Sequence, residues 1–134
     1  MYSLETIFQQ AIDKPYAVVT DMPMGVNVIY LGIKIQKFED RIEILDLNRG
    51  GNYYKVIEPV HYSIFSAYGW EIGCLKMAVL NCVYKLNIIE DRIKTEVNTR
   101  KNDKHIQNLK GKREKLIKKH YKYNNKLNQI LKTK

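Results

Sequence analysis

From Trp70 onward the apolar positions alternate in threes and fours: Ile72, Leu75, Val79, Cys82, Leu86, Ile89 and Ile93. That spacing keeps one stripe of a helix apolar over three heptads, as the seam of a coiled coil does. A second seam runs through Ile106, Leu109, Leu116, Tyr123, Leu127 and Ile130, with Arg113 and His120 at its two weak places. The registers differ. Ile93 and Ile106 are thirteen residues apart, so on one ideal helix the second seam points ~100° away from where two further heptads would put it. Between them lies the polar stretch NTRKND, in which Asp103 is placed to cap a new helix. The pattern predicts two helices folded into an antiparallel hairpin, each seam burying the other. The competing arrangement is a single rod of ~60 residues, ~90 Å long, which no Pro or Gly between Cys74 and Lys110 forbids. Gly111 costs on the order of 1 kcal/mol relative to Ala, too little to break the second helix.

Ahead of residue 70 the period is shorter. Leu4, Ile7, Phe8 and Ala11 recur at helical spacing behind Ser3, a good N-cap, and Pro15 lies just beyond, which predicts a short first helix. Four strand-like segments follow: PYAVVT, then VNVIYLGIKIQK after the turn signal DMPMG, then RIEILDL after FED, then YYKVI after NRGGN. Such short connections imply an antiparallel meander. Ile29, Leu31, Ile33 and Ile35 alternate along the long second segment, so one face of a continuous strand is expected to be buried, with Gly32 marking a bulge or a close backbone approach. Pro59 opens a short helix that Gly69 can end. The expected fold class is α+β: a small antiparallel β-meander with two short helices over residues 1–69, then a long α-helical hairpin, or rod, over residues 70–134.

Charge divides the chain in the same way. Residues 1–90 hold 8 Lys and Arg against 10 Asp and Glu, whereas residues 91–134 hold 15 against 4. Within the second helix, with Leu109 set at 0°, the seam centres near ~20° while Lys104, Lys115, Lys118, Lys119, Lys122 and Lys126 fall between ~180° and ~280°. Solvated helices more often lace such a face with acids three or four residues away, because like charges at those spacings repel. Here the lacing is absent. One reading is a stripe of cations for the phosphates of a nucleic acid or nucleoprotein complex, or for an acidic protein surface. The other is a solvated outer face from a lysine-rich genome: Lys outnumbers Arg 18 to 5, a usage associated with AT-rich codons and with an origin such as a phage or mobile element. Ammonium groups act as point charges, so any nucleic-acid binding is expected to be weakly sequence-specific and strongly salt-dependent. Tyr121 and Tyr123 are candidates for stacking on bases, although Tyr123 fits the seam.

No catalytic motif is present, so an enzyme is not expected. Asp40, Glu43 and Asp46, with Glu39 beside them, cluster on one strand and its turn; paired carboxylates of this kind can hold Mg²⁺, but they also read as the wet face of the strand. His61, His105 and His120 lie far apart, without zinc-like spacing. NRGGNYYK lacks the spacing of a phosphate loop. Cys74 and Cys82 sit inside an apolar helical pattern and read as core thiols. No metal or cofactor is therefore expected. The start MYSLETIFQQ lacks a basic segment followed by an apolar one, and some eighteen apolar residues nowhere run together, so a cytoplasmic address and no membrane insertion are expected. The expected function is non-enzymatic binding through the lysine face, for example as an inhibitor of host defence; the alternative is a virion or scaffold component that oligomerises through its helices.

Overall fold

The structure, a computed structural model, describes residues 1–22, 25–48, 55–99 and 102–133. Its elements are α1 (Leu4–Ile12), β1 (Thr20–Met22), β2 (Gly25–Tyr30), β3 (Ile33–Lys37), β4 (Ile42–Asp46), β5 (Lys55–Val56), α2 (Pro59–Tyr68), α3 (Trp70–Thr99) and α4 (Asp103–Lys132). The strands pair antiparallel in chain order, β1 to β5. This is an α+β fold ending in a helical hairpin, the first of the two arrangements that the out-of-phase seams allowed. The chain divides into two compact units, Met1–Met77 and Ala78–Lys134, the boundary lying inside α3.

In the first unit, α1 starts where expected: Thr6 N–H donates to Ser3 Oγ at 3.2 Å. It buries Ile7, Phe8 and Ala11 against the sheet face that carries Val28, Ile33, Ile35 and Ile44. Phe65 of α2 and Trp70, Cys74 and Met77 of α3 complete this core. Each of the larger side chains contributes about 1.5–3 kcal/mol by leaving water. Gly69 ends α2 with φ 86°, and its N–H donates to Phe65 O at 2.8 Å. A Cβ there would lie 2.6 Å from Gln10 Oε1, the atom that accepts Trp70 N–H at 3.0 Å and so caps the next helix. One glycine thus satisfies the end of α2 and leaves room for the start of α3.

Two strand expectations are corrected. PYAVVT is not a strand over its length: residues 15 and 16 form a turn, Ala17 N–H donates to Lys14 O at 3.1 Å, and β1 begins only at Thr20. Asp21 and Met22, read as turn residues, belong to that strand. Tyr16 and Ala17 pack against the core instead of joining the ladder, so burial outweighed strand propensity. The long second segment is not one strand but a hairpin. Leu31 and Gly32 both have positive φ, 54° and 76°, the signature of the tight two-residue turn that matches strand twist. Tyr30 then pairs with Ile33 and Val28 with Ile35, so Val28, not Ile29, shares the buried face. Ile29 is 48% exposed.

Asn48 holds this turn from the far end of β4. Its Nδ2 donates to Leu31 O at 3.2 Å, and Leu47 N–H donates to Gly32 O at 2.8 Å. The first bond helps hold a leucine in a backbone region that non-glycine residues seldom occupy. A Cβ on Gly32 would stand 2.5 Å from the Asn48 amide.

In the second unit, Ile89 and Ile93 of α3 pack on Leu109 of α4, with Leu116 against them. Cys82, Ile106 and Leu127 are likewise buried along the two seams. Asn102, not Asp103, is the N-cap of α4: its side chain accepts His105 N–H at 3.2 Å. Asp103 occupies the first helical position instead, where its charge still favours the helix N-terminus. Among the described residues α3 is the one helix long and apolar enough to cross a membrane by length and composition, although its apolar residues form no unbroken run of that length. Its Trp70, Ile72, Leu75 and Met77 side chains are buried in protein, compatible with the core helix of a soluble protein.

Candidate nucleic-acid interface

The lysines at issue are carried by α4, which runs without a break from Asp103 to Lys132, straight through Gly111. Side chains four or three apart lie on one face of such a helix, and 1.5 Å of rise per residue sets Lys104 and Lys126 ~33 Å apart along it. Leu109 and Ile106 turn one face toward α3. Lys104, Lys115, Lys118, Lys119, Lys122 and Lys126 are all exposed, consistent with their angles from the seam. Lys126 also interacts within the chain.

The register of the hairpin rests on two cross-helix pairs. Arg113 Nη1 donates to Glu90 Oε1 at 3.1 Å, and His105 Nε2 lies 3.6 Å from Glu96 Oε1. Arg113, at a weak place in the seam, is thereby paired across the interface. The acidic neighbour of His105 on α3 does not show in the sequence, because the pairing depends on how the helices align. His105 and Glu96 line a shallow depression of about 480 Å³ with Ile88, Asp91, Arg92 and Thr95, of mixed charge. His120 is half-buried in the seam and meets Tyr121 edge-on at 6.4 Å, and His61 is half-buried on α2.

A cation outside the expected stripe belongs beside it. The Cys82 thiol of α3 is pushed up by burial, while the ammonium groups of Lys119 and Lys85 pull it back down. Lys85, exposed on α3, and Lys119 on α4 thus both lie near Cys82. The sequence does not show it, because periodicity relates only residues of one helix. Its signal was the heptad position of Lys85, which flanks the first seam.

The aromatic candidates separate. Tyr121 is 64% exposed, whereas Tyr123 is half-buried in the seam. The acidic strand does not gather as one wet face. Asp40 and Glu43 both accept from Arg41, each at 2.8 Å, but Asp46 faces the core side of the sheet, only 2% exposed, where its Oδ1 accepts Asn48 N–H at 2.9 Å. Alternation along β4 forces that split, since residues 43 and 46 have opposite parity. Among the described residues no three His, Cys, Asp or Glu side chains are grouped to hold a metal ion. Both cysteines are free and buried, and burial holds the Cys74 thiol well above its usual range. The first unit also has an apolar groove of about 250 Å³ between Leu4, Ile42, Val56, Pro59 and Tyr62.

No protein-family model matches the chain, and neither the curated proteins nor the solved structures contain a significantly similar one.

Proposed function

We propose that this protein is a non-enzymatic binding protein whose basic helical hairpin engages nucleic acid, free or within a nucleoprotein complex. The observation that carries the reading is the exposure of all six stripe lysines on one helix whose opposite face is buried. A row of ammonium groups with a single acid, Glu114, among them gains most from a ligand that carries a regular row of negative charge, because it releases that ligand's condensed counterions. Binding of this kind acts by charge and by covering the nucleic acid, as a small inhibitor of host defence would. The lysine-over-arginine usage supports a phage or mobile-element origin and action in the host cytoplasm.

The test is a fluorescence titration of the full chain with duplex and single-stranded DNA at two salt concentrations. Changing Lys115, Lys118, Lys119 and Lys122 to Glu together is expected to abolish measurable binding. Retained affinity in that variant refutes the reading.

A second reading, assembly through the helices, is favoured by the exposed Leu80, Val83 and Tyr84 of α3 and Tyr121 of α4. It requires a defined oligomer by mass measurement in solution, where a concentration-independent monomer excludes it.

A further inference from the structure

Coiled-coil geometry makes one more feature of the second unit legible. Setting Ile72 and Ile106 as equivalent seam positions, the residues that precede each such position by one line the same lip of an antiparallel hairpin. On α3, within the second unit, these are Ala78, Lys85 and Arg92; on α4 they are His105, Lys112, Lys119 and Lys126. Register places Lys85 opposite Lys119 and Arg92 opposite Lys112, since Glu90 meets Arg113 and Glu96 meets His105. Both Lys85 and Lys119 act on the Cys82 thiol, which accords with the first pairing. All four cations are exposed. Antiparallel helices ordinarily place opposite charges at these facing positions, because that is where interhelical salt bridges form. At these two levels the hairpin sets like charges against each other, whereas His105, on the same lip, meets Glu96, and Arg113 of the seam pairs with Glu90.

Resting on the nucleic-acid reading above, we propose that the paired cations Lys85 with Lys119 and Arg92 with Lys112 each clamp a backbone phosphate of a nucleic-acid duplex between the two helices. The two clamps stand one heptad, ~10.5 Å, apart along the hairpin. A phosphate between two cations is attracted by both and relieves their mutual repulsion, so the ligand replaces the missing salt bridge. Lys115 and Lys122 lie on the same side of α4 and extend the surface outward. The position of the aromatic rings decides for duplex over single strand. Tyr121 points ~160° away from Lys119 of this lip and Tyr84 ~100° away from Lys85 on ideal helices, and Tyr123 is half-buried. A strand that offers its phosphates to this lip thus finds no open ring to stack its bases upon, which single-strand binding uses.

The decisive variant is Lys85→Glu, because its effects on stability and on binding have opposite signs. Opposite Lys119 the new carboxylate makes an attractive pair, so the free protein is expected to melt about 1–3 °C higher at low salt. Affinity for a short DNA duplex is expected to fall about tenfold, and the plot of log K against log salt to become shallower by about 0.9 for each phosphate that is no longer neutralised. Lys94→Glu makes the same change of formal charge away from the lip and is expected to cost much less affinity. If the wild type binds duplex and the Lys115, Lys118 and Lys122 to Glu variant does not, yet Lys85→Glu binds normally, the clamp is overturned and the single-helix stripe stands. A Lys85→Glu protein that melts lower overturns the like-charge pairing. Tighter binding of single strands than of duplex overturns the choice of ligand. Absence of any nucleic-acid binding by the wild type removes the underlying reading itself.

Discussion

Arg113 of α4 and Glu90 of α3 are joined across the hairpin by a hydrogen-bonded ion pair of 3.1 Å, at a level where the apolar seam of α4 is interrupted. The guanidinium stands where a leucine would be expected from the spacing, and it meets a carboxylate that flanks the opposite seam. Both side chains remain open to water, at 27% and 45% exposure, so the pair is worth little in energy and much in register. A double-mutant cycle with Arg113→Ala and Glu90→Ala is expected to give a coupling of about 0.2–1 kcal/mol. A coupling near zero would mean that the pair does not align the helices.

The seam itself is expected to dominate the stability of the second unit. Leu109 is 3% exposed among Ile89, Ile93 and Leu116, and truncation to Ala removes buried methyl groups and leaves a cavity. Leu109→Ala should cost about 2–4 kcal/mol in urea unfolding of the full chain. Tyr121→Ala, at an exposed position, should stay within about 0.5 kcal/mol.

In the first unit the β2–β3 turn is a separate point of weakness. Asn48→Ala removes the bond to Leu31 O and should cost about 1 kcal/mol. Gly32→Ala should be the more damaging of the two, because it adds backbone strain at φ 76° to a clash with the Asn48 amide. Thermal melts of the two single variants and their double measure this. If the clash dominates, Gly32→Ala is partly rescued in the Asn48→Ala background.

Alkaline conditions should destabilise the fold. The Tyr16 hydroxyl, half-buried with its ring stacked on Tyr30 at 3.9 Å, is pushed far above its ordinary value of 10.0, by burial first and then by Cys74 and Glu71. Cys74 is likewise pushed above 9.0 by burial. Both groups are held neutral in the folded chain, so above about pH 9 the unfolded chain loses protons that the folded chain keeps. Their contribution is complete below those ordinary values and declines as pH rises past them. Urea midpoints should therefore fall from about pH 9 upward, and Tyr16→Phe should flatten the part of the decline above about pH 10. An unchanged slope in that variant would assign the loss to other groups.

Much of this architecture could be read from local spacing. The two helical seams, the break between them, the Ser3 cap, Pro59 at the start of α2 and Gly69 at its end are all short-range signals, and each coincides with an observed boundary. The β region was less legible for a definite reason. Apolar residues alternate through VIYLGIKI, and alternation is the same whether the chain runs straight or reverses through a two-residue turn with no intervening polar run. The one local clue was Gly32; the partner that makes the reversal tolerable, Asn48, lies on the far side of β4.

The candidate interface divides along the same line. Which lysines share a face of α4 follows from helical geometry, because 3.6 residues per turn is a property of the backbone and needs no tertiary contact. That Lys85 and Lys119 both come near Cys82 and that Arg113 finds Glu90 depends on how separate elements align. Residues far apart in the chain acquire neighbours only when apolar surfaces bury one another, and that burial sets the register. Periodicity alone therefore determined the elements and their apolar faces, whereas packing decided which charges meet.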